Sequence, residues 1–279
     1  MRPALRYHGG KWRIAPWILG FFPEHQIYVE AFGGAASVLL RKPRAYAEVY
    51  NDLDGEIVNF LRVLRDRGDE LRHYLSLTPF ARAEFIEAYN PSDDPLVQAG
   101  RTVMKSFMGF GSDSIRRNSG FRSNSKRAGT TPAHDWVNYA EHLPELTERL
   151  RGVIIEQRQA LDVIQNHDTL ETLFYIDPPY LHSLRPAMSN YRQPAYRHEM
   201  TDAEHQELAK VLGSIQGKVL ISGYQSNLYE TLYAGWHREE YATFADGAKK
   251  RTEVLWMNFM PVKQASKVNA LAGDYKKAA

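Results

Sequence analysis

The 279-residue chain contains no cysteine, which excludes disulfide staples, thiolate metal sites and any cysteine nucleophile. No apolar run approaches the ~18 residues that a membrane-spanning helix needs. The first residues place Arg2, Arg6 and Lys11 around Pro3 and Gly9-Gly10 where a secretory leader would carry an apolar stretch. An intracellular location is therefore the default expectation. Internal repeats and low-complexity tracts are also missing. What remains, 43% hydrophobic and 12% aromatic residues, is enough to bury the core of one large α/β domain, with or without an insertion.

Net charge is small, with 35 Lys/Arg against 33 Asp/Glu, yet it is unevenly placed. Residues 101–127 hold Arg101, Lys105, Arg116, Arg117, Arg122, Lys126 and Arg127 against the single acid Asp113. The rest of the chain is mildly acidic. A basic patch on an acidic body suits a polyanion partner, although a charge run taken alone is more often a solvated loop. Phe110 and Phe121 flank the cluster and offer rings for wedging or stacking, with core packing the commoner role for such residues.

The run Leu173 to Tyr180, LFYIDPPY, is the most informative stretch. An apolar strand opens directly onto an acid, two prolines and an aromatic ring. Consecutive prolines fix two φ angles, remove two backbone donors and end the strand, so the surrounding acceptors are held rigid. Asp177 accepts through its carboxylate, Pro178 through its carbonyl, and Tyr180 supplies a flat face. The guest that fits is a planar ring bearing an NH2 group, whose lone pair two acceptors would draw out of conjugation. The bland alternative is a strand ended by a Pro-Pro turn, with Asp177 as a cap and Tyr180 as packing.

The surrounding pattern alternates. A strand at 27–32 runs into Gly33-Gly34-Ala35-Ala36-Ser37, and Val38-Leu39-Leu40 looks like the start of a short helix. Another strand at 45–50 ends at Asn51-Asp52, and Asp54 is placed to cap a helix with Ile57, Val58, Leu61 and Leu64 on one face. From 68 to 107 the pattern is helical with breaks at Pro79, Pro91 and Pro95, and from 109 to 132 periodicity is lost. Helix signals return near 135–150 and 159–166, around a strand at 153–155. Thr201-Asp202-Ala203-Glu204 forms a capping box for a helix carrying Leu208, Val211, Leu212 and Ile215. Strands at 218–222, 237–243 and 253–260 follow, with a helix near 226–233 and a frayed end.

In an open α/β sheet the ligand sits beyond the carboxyl ends of the strands, where a glycine turn lets backbone approach it. Glu30 to Ser37 fits that place, and Asp52 stands where such folds put an acid on ribose hydroxyls. The glycine pair alone is weak, and a tight turn explains it equally; with Asp52 it favours a nucleoside cofactor. Lys11 after Gly9-Gly10 is no phosphate-loop lysine, because the G-x-x-x-x-G-K-[ST] spacing is absent.

With Gly9-Gly10-Lys11, Glu30 to Ser37, Asn51-Asp52 and Asp177 to Tyr180 in this order, the chain resembles the D12 class of adenine-N6 DNA methyltransferases, the family of DNA adenine methylase. The resemblance spans most of the chain and is weakest over 68–132, where that family keeps its target-recognition segment. It implies a Rossmann-like α/β methyltransferase sheet with helices on both faces and a helical or hairpin DNA-recognition insertion. The catalytic domain would comprise 1–67 and 133–263, with 264–279 a flexible tail.

The resemblance further implies S-adenosylmethionine as cofactor, double-stranded DNA as partner, no obligatory protein partner, no metal, and the cytoplasm of a bacterial or phage-infected cell. Tyr7, Lys11, Glu30, Phe32, Gly34 and Asp52 would hold the cofactor. Asp177, Pro178, Pro179 and Tyr180 would form the catalytic cup, with Asp177 also beside the cofactor. Arg116, Arg117, Arg122, Lys126 and Arg127 would contact DNA. The chain departs from the family at Ala36, where many members have glycine, and a methyl group there is expected to intrude modestly on the cofactor pocket. Related cups with an acidic or amide first residue also serve RNA adenine, cytosine N4 and protein glutamine, and a catalytically silent DNA-binding relative is a further alternative.

Overall fold

A computed structural model describes residues 1–125, 129–181, 197–244 and 250–261. Lys126, Arg127, most of the loop after Leu181 and the expected tail lie outside them. Among the described residues seven strands form one sheet: β1 (Ile27–Glu30), β2 (Ala47–Asn51), β3 (Val153–Glu156), β4 (Thr172–Ile176), β5 (Lys218–Tyr224), β6 (His237–Phe244) and β7 (Lys250–Met257). Their spatial order is β3-β2-β1-β4-β5-β7-β6. The first five are parallel, while β7 runs antiparallel between β5 and β6.

Alternation along the strands assigns side chains to two cores. Tyr28, Tyr50, Leu173, Tyr175, Leu220 and Leu255 face one side. There they meet α1 (Ala15–Leu19), α2 (Gly55–Asp66), α5 (Pro95–Met108) and α7 (Leu143–Leu150). Val29, Val49, Phe174, Ile176, Val219, Ile221 and Trp256 face the other side. That side is covered by α8 (Ala160–Asn166), α9 (Asp202–Ser214) and α10 (Asn227–Leu232). Burial on both faces is why the central strands carry continuous apolar runs, and all five residues of β4 are buried. This is a Rossmann-like α/β sheet with helices on both faces, as the resemblance implies.

Local signals explain most boundaries. The Asp54 carboxylate accepts from the Glu56 amide and caps α2. The Thr201–Glu204 capping box is formed in both directions at α9. Pro95 sits in the first turn of α5 behind an Asp94 cap. Two expectations are corrected. The helix expected from Val38 is instead a run of turns over 34–41: the Leu40 amide bonds the Ala36 carbonyl at 2.9 Å and the Lys42 amide the Val38 carbonyl at 3.0 Å, but the Leu39 amide is diverted to Glu30, Ala36 is left-handed at φ 54°, and Pro43 stops any extension. The helix expected over 135–150 is two, α6 (Pro132–Tyr139) and α7, separated by a 3-10 turn at Ala140–His142 with Pro144 opening the second.

The described residues from 68 to 125 fold as α3 (Gly68–Leu77), α4 (Arg82–Glu87), α5 and an irregular segment pinned by a bridge between Gly109 and Phe121. Leu71, Leu75, Phe85, Val103 and Met104 join the same core as Tyr28 and Tyr50. Among the described residues no helix is long and apolar enough to cross a membrane. The chain turns outward through β2 and β3 and then returns with β4 on the other side of β1. The crevice beyond the carboxyl ends of β1 and β4 is therefore the switch point where such sheets take ligands.

Candidate active site

A cleft occupies that crevice. Its wall contains Tyr7, Lys11, Glu30, Phe32, Gly33, Gly34, Asp52, Asp177, Pro178 and Pro179. The structure thus brings together residues up to 172 positions apart in the sequence, from the N-terminal glycine turn to the end of β4.

The glycine turn is close because it must be. The Gly33 amide bonds the Asn51 carbonyl at 2.8 Å, and the buried Tyr50 hydroxyl donates to the Gly34 carbonyl at 2.6 Å. A Cβ on Gly33 would lie 2.0 Å from Tyr50 Cε2. Gly34 has φ +47°, and a Cβ there would lie 2.9 Å from the Tyr7 ring. Ala36 corrects the expectation of a methyl intruding on the pocket. It is fully buried in the core and absent from the cleft wall. Its cost is instead a left-handed backbone, about 1–2 kcal/mol for a residue with a Cβ.

Two acids organise this end of the sheet. The Asp52 carboxylate accepts from the Gly34 amide and the Asp54 amide, each at 2.8 Å, and ties the glycine turn to the start of α2. Burial raises its pKa, against the pull of those two amides. Glu30 accepts through Oε2 from the Tyr28 hydroxyl at 2.7 Å and the Leu39 amide at 2.8 Å. Burial dominates these bonds and pushes its pKa up to about 8.

At the end of β4, Asp177 is held on both oxygens. Ser222 Oγ donates to Oδ1 at 2.7 Å, and Lys11 Nζ lies 2.9 Å from Oδ2. Lys11 also donates to the Gly9 carbonyl at 2.9 Å, which fixes its reach. Tyr180 does not present the open stacking face expected of it. It is 8% exposed, its hydroxyl donates to Glu253 at 2.9 Å, its ring lies 4.4 Å from that of Tyr224, and Lys11 Nζ sits 4.8 Å from its centre.

The basic cluster is rearranged relative to expectation. Arg116 turns inward to the cleft wall, bonding the Tyr7 hydroxyl and lying 3.2 Å from Asp54. Arg122 is 9% exposed and donates to the Phe107 carbonyl at 2.9 Å. Both find buried acceptors that outcompete solvent, which a charge count cannot reveal. Arg117 pairs with Asp113 at 3.5 Å; Lys126 and Arg127 lie outside the described residues. The two rings separate: Phe121 packs on Phe80 and Phe85, whereas Phe110 is 74% exposed beside the Gly109–Phe121 bridge, contrary to the expected core role.

Sequence reasoning missed Ser222, Tyr175, Glu253 and the inward Arg116. The signal for Ser222 was available, since it ends the apolar run Val219-Leu220-Ile221 at the ligand side of the sheet. Nothing local marked the others.

Comparison with known proteins identifies the family. Residues 7–245 match the profile of the D12 class N6 adenine-specific DNA methyltransferase family. The chain is also 28% identical over 290 residues to a Type II methyltransferase, M1.LlaDCHI of Lactococcus lactis subsp. cremoris, covering 93% of this chain and 96% of that protein. A profile match over most of the length, on a sheet whose switch-point cleft joins the glycine turn to the Asp-Pro-Pro-Tyr strand end, shows that the chain belongs to the D12 class of adenine-N6-specific DNA methyltransferases.

Proposed function

We propose that the cleft binds S-adenosylmethionine against the glycine turn and Asp52, and that Asp177 and the Pro178 carbonyl receive the amino group of an adenine extruded from duplex DNA. The observation that carries this reading is that Asp177, Gly33-Gly34 and Asp52 line one cleft at the point where strand order reverses. The cleft fits the cofactor in three respects. Its wall includes a glycine turn packed so closely on Tyr50 and Tyr7 that backbone, not side chain, is what a ligand there would meet. Asp52 keeps free lone pairs for a ribose after bonding two amides. Glu30 lines the same wall and offers a carboxyl group that can accept hydrogen bonds from the cofactor.

When bound, S-adenosylmethionine supplies an electrophilic methyl group. Asp177 would accept an N6 hydrogen bond, direct the amine lone pair at that methyl group, and take up the proton that N6 loses as the methyl is gained, passing it on to solvent. Lys11 steadies the Asp177 carboxylate during this step. The target base must leave the stack first, at a cost of a few kcal/mol that contacts in the cleft and to phosphates offset. The exposed Phe110, with Arg117, Lys126 and Arg127 in the same 109–127 stretch, is suited to meet DNA. We assign residues 68–132 as the target-recognition segment. The Type II name of the relative supports modification at a defined sequence, in a restriction-modification setting.

Transfer of a radiolabelled methyl group to duplex DNA and to RNA, followed by nucleoside analysis, tests the reading. N6-methyldeoxyadenosine is expected. Label in RNA, in N4-methylcytosine or in protein glutamine would overturn it, and calorimetry showing no S-adenosylmethionine binding would revive the silent relative.

A further inference from the structure

Behind Asp177 runs a short chain of hydroxyl groups. β5 pairs with β4 through Ile176 and Ile221, which sets Ser222 alongside Asp177. Ser222 is 1% exposed. Its Oγ lies 2.7 Å from Asp177 Oδ1 and 3.1 Å from the buried Tyr175 hydroxyl. Proton bookkeeping fixes the direction of both bonds. The single Ser222 proton goes to Asp177 Oδ1 at 2.7 Å rather than to the more distant Ile176 carbonyl at 3.4 Å, so Tyr175 donates to the Ser222 lone pair. Burial raises the Tyr175 pKa well above its ordinary value, which keeps that phenol a donor.

We infer that Ser222, backed by Tyr175, is a positioning residue for methyl transfer. It commits Asp177 Oδ1 to the fold and leaves Oδ2, beside Lys11, as the oxygen that meets the amino group. The inference rests on the reading of Asp177 as the acceptor for that group. A carboxylate rotates freely about its terminal torsion unless both oxygens are engaged. Without Ser222 the carboxylate would turn toward Lys11 with either oxygen, and the acceptor direction would scatter. Such scatter affects the chemical step and leaves the cofactor and DNA contacts intact.

The test uses the full-length enzyme with duplex DNA, measuring kcat, KM for DNA, S-adenosylmethionine affinity by calorimetry, and Tm. Losing a hydrogen bond to a charged group predicts a kcat lower by roughly 10–100-fold for Ser222→Ala, with KM and cofactor affinity within about threefold. Ser222→Thr keeps the hydroxyl and should recover most of the rate. Tyr175→Phe should show a smaller loss of the same kind, and it stands in if the Ser222 variants fold poorly. In an Asp177→Asn background, where the carboxylate to be oriented is gone, Ser222→Ala should have little further effect on any residual rate. A kcat within twofold of wild type for Ser222→Ala, or a Thr variant as slow as the Ala variant, would overturn the inference while Asp177→Ala stays inactive. Full turnover by Asp177→Ala would instead overturn the reading of the site itself.

Discussion

Lys11 Nζ lies 2.9 Å from Asp177 Oδ2, joining the first glycine turn of the chain to the end of its fourth strand. Lys11 is 5% exposed and donates to the Gly9 carbonyl as well, so its ammonium is aimed rather than loosely paired. Lys11→Met should remove a charge-assisted interaction of about 1.5–3 kcal/mol. Steady-state methyl transfer should fall on the order of 10–100-fold in kcat/KM. Lys11→Arg should not restore it, because a planar fork does not fit a site shaped for a compact ammonium. An Arg variant with wild-type kinetics would show that charge alone suffices.

The reach of sequence reasoning is visible in this pair. Both partners were legible separately: Lys11 from its glycine turn, and Asp177 from a strand broken by two prolines. Capping chemistry fixed α2 and α9, and alternating apolar runs located the strands. Those signals are local, carried by residues within a few positions of each other. Arg116 and Arg122 turned inward because acceptors more than a dozen residues away, Asp54 and the Phe107 carbonyl, meet them in the fold. Ser222 found Asp177 across 45 residues. Phe110 and Phe121 carry the same side chain and differ in how the Gly109–Phe121 bridge places them.

Glu30 gives the fold a pH signature. Its pKa rises on folding from about 4.5 to about 8 because burial disfavours the carboxylate. The folded state therefore binds a proton that the unfolded state releases above pH 4.5. The contribution is fully present below that pH and is lost as pH climbs toward 8. Urea unfolding at a series of pH values should show this decline. Glu30→Gln, which mimics the neutral acid and can still accept from Tyr28 and Leu39, should flatten it. An unchanged slope in that variant would place the ionisation elsewhere.

Two glycines should respond oppositely to alanine. Gly33→Ala drives a Cβ into the buried Tyr50 ring, and overpacking of this kind costs about 1–3 kcal/mol or more. Cofactor affinity should fall with it, since the displaced turn forms part of the cleft wall. Gly213 in α9 has nothing within 4 Å of its Cβ position, so Gly213→Ala should stabilise by up to about 1 kcal/mol. Chemical denaturation of the two variants against wild type checks both signs.

The exposed Phe110 and the basic side chains near it in sequence should contribute to DNA binding in distinguishable ways. Phe110→Ala should weaken duplex binding by about 1–3 kcal/mol, as for removal of a base-stacking ring, with the salt dependence unchanged. Neutralising Arg117, Lys126 and Arg127 should lower the salt slope by roughly one for each phosphate that no longer meets a cation. Arg116→Gln, whose guanidinium faces the cleft, should leave the slope alone and weaken cofactor binding. Titrations at several salt concentrations separate the three cases.

The account stands most directly on the Asp177 carboxylate. Asp177→Ala should leave N6-methyldeoxyadenosine undetectable in a methyl-transfer assay on duplex DNA, while calorimetry still registers weakened S-adenosylmethionine binding. Wild-type formation of N6-methyldeoxyadenosine by that variant would contradict the account.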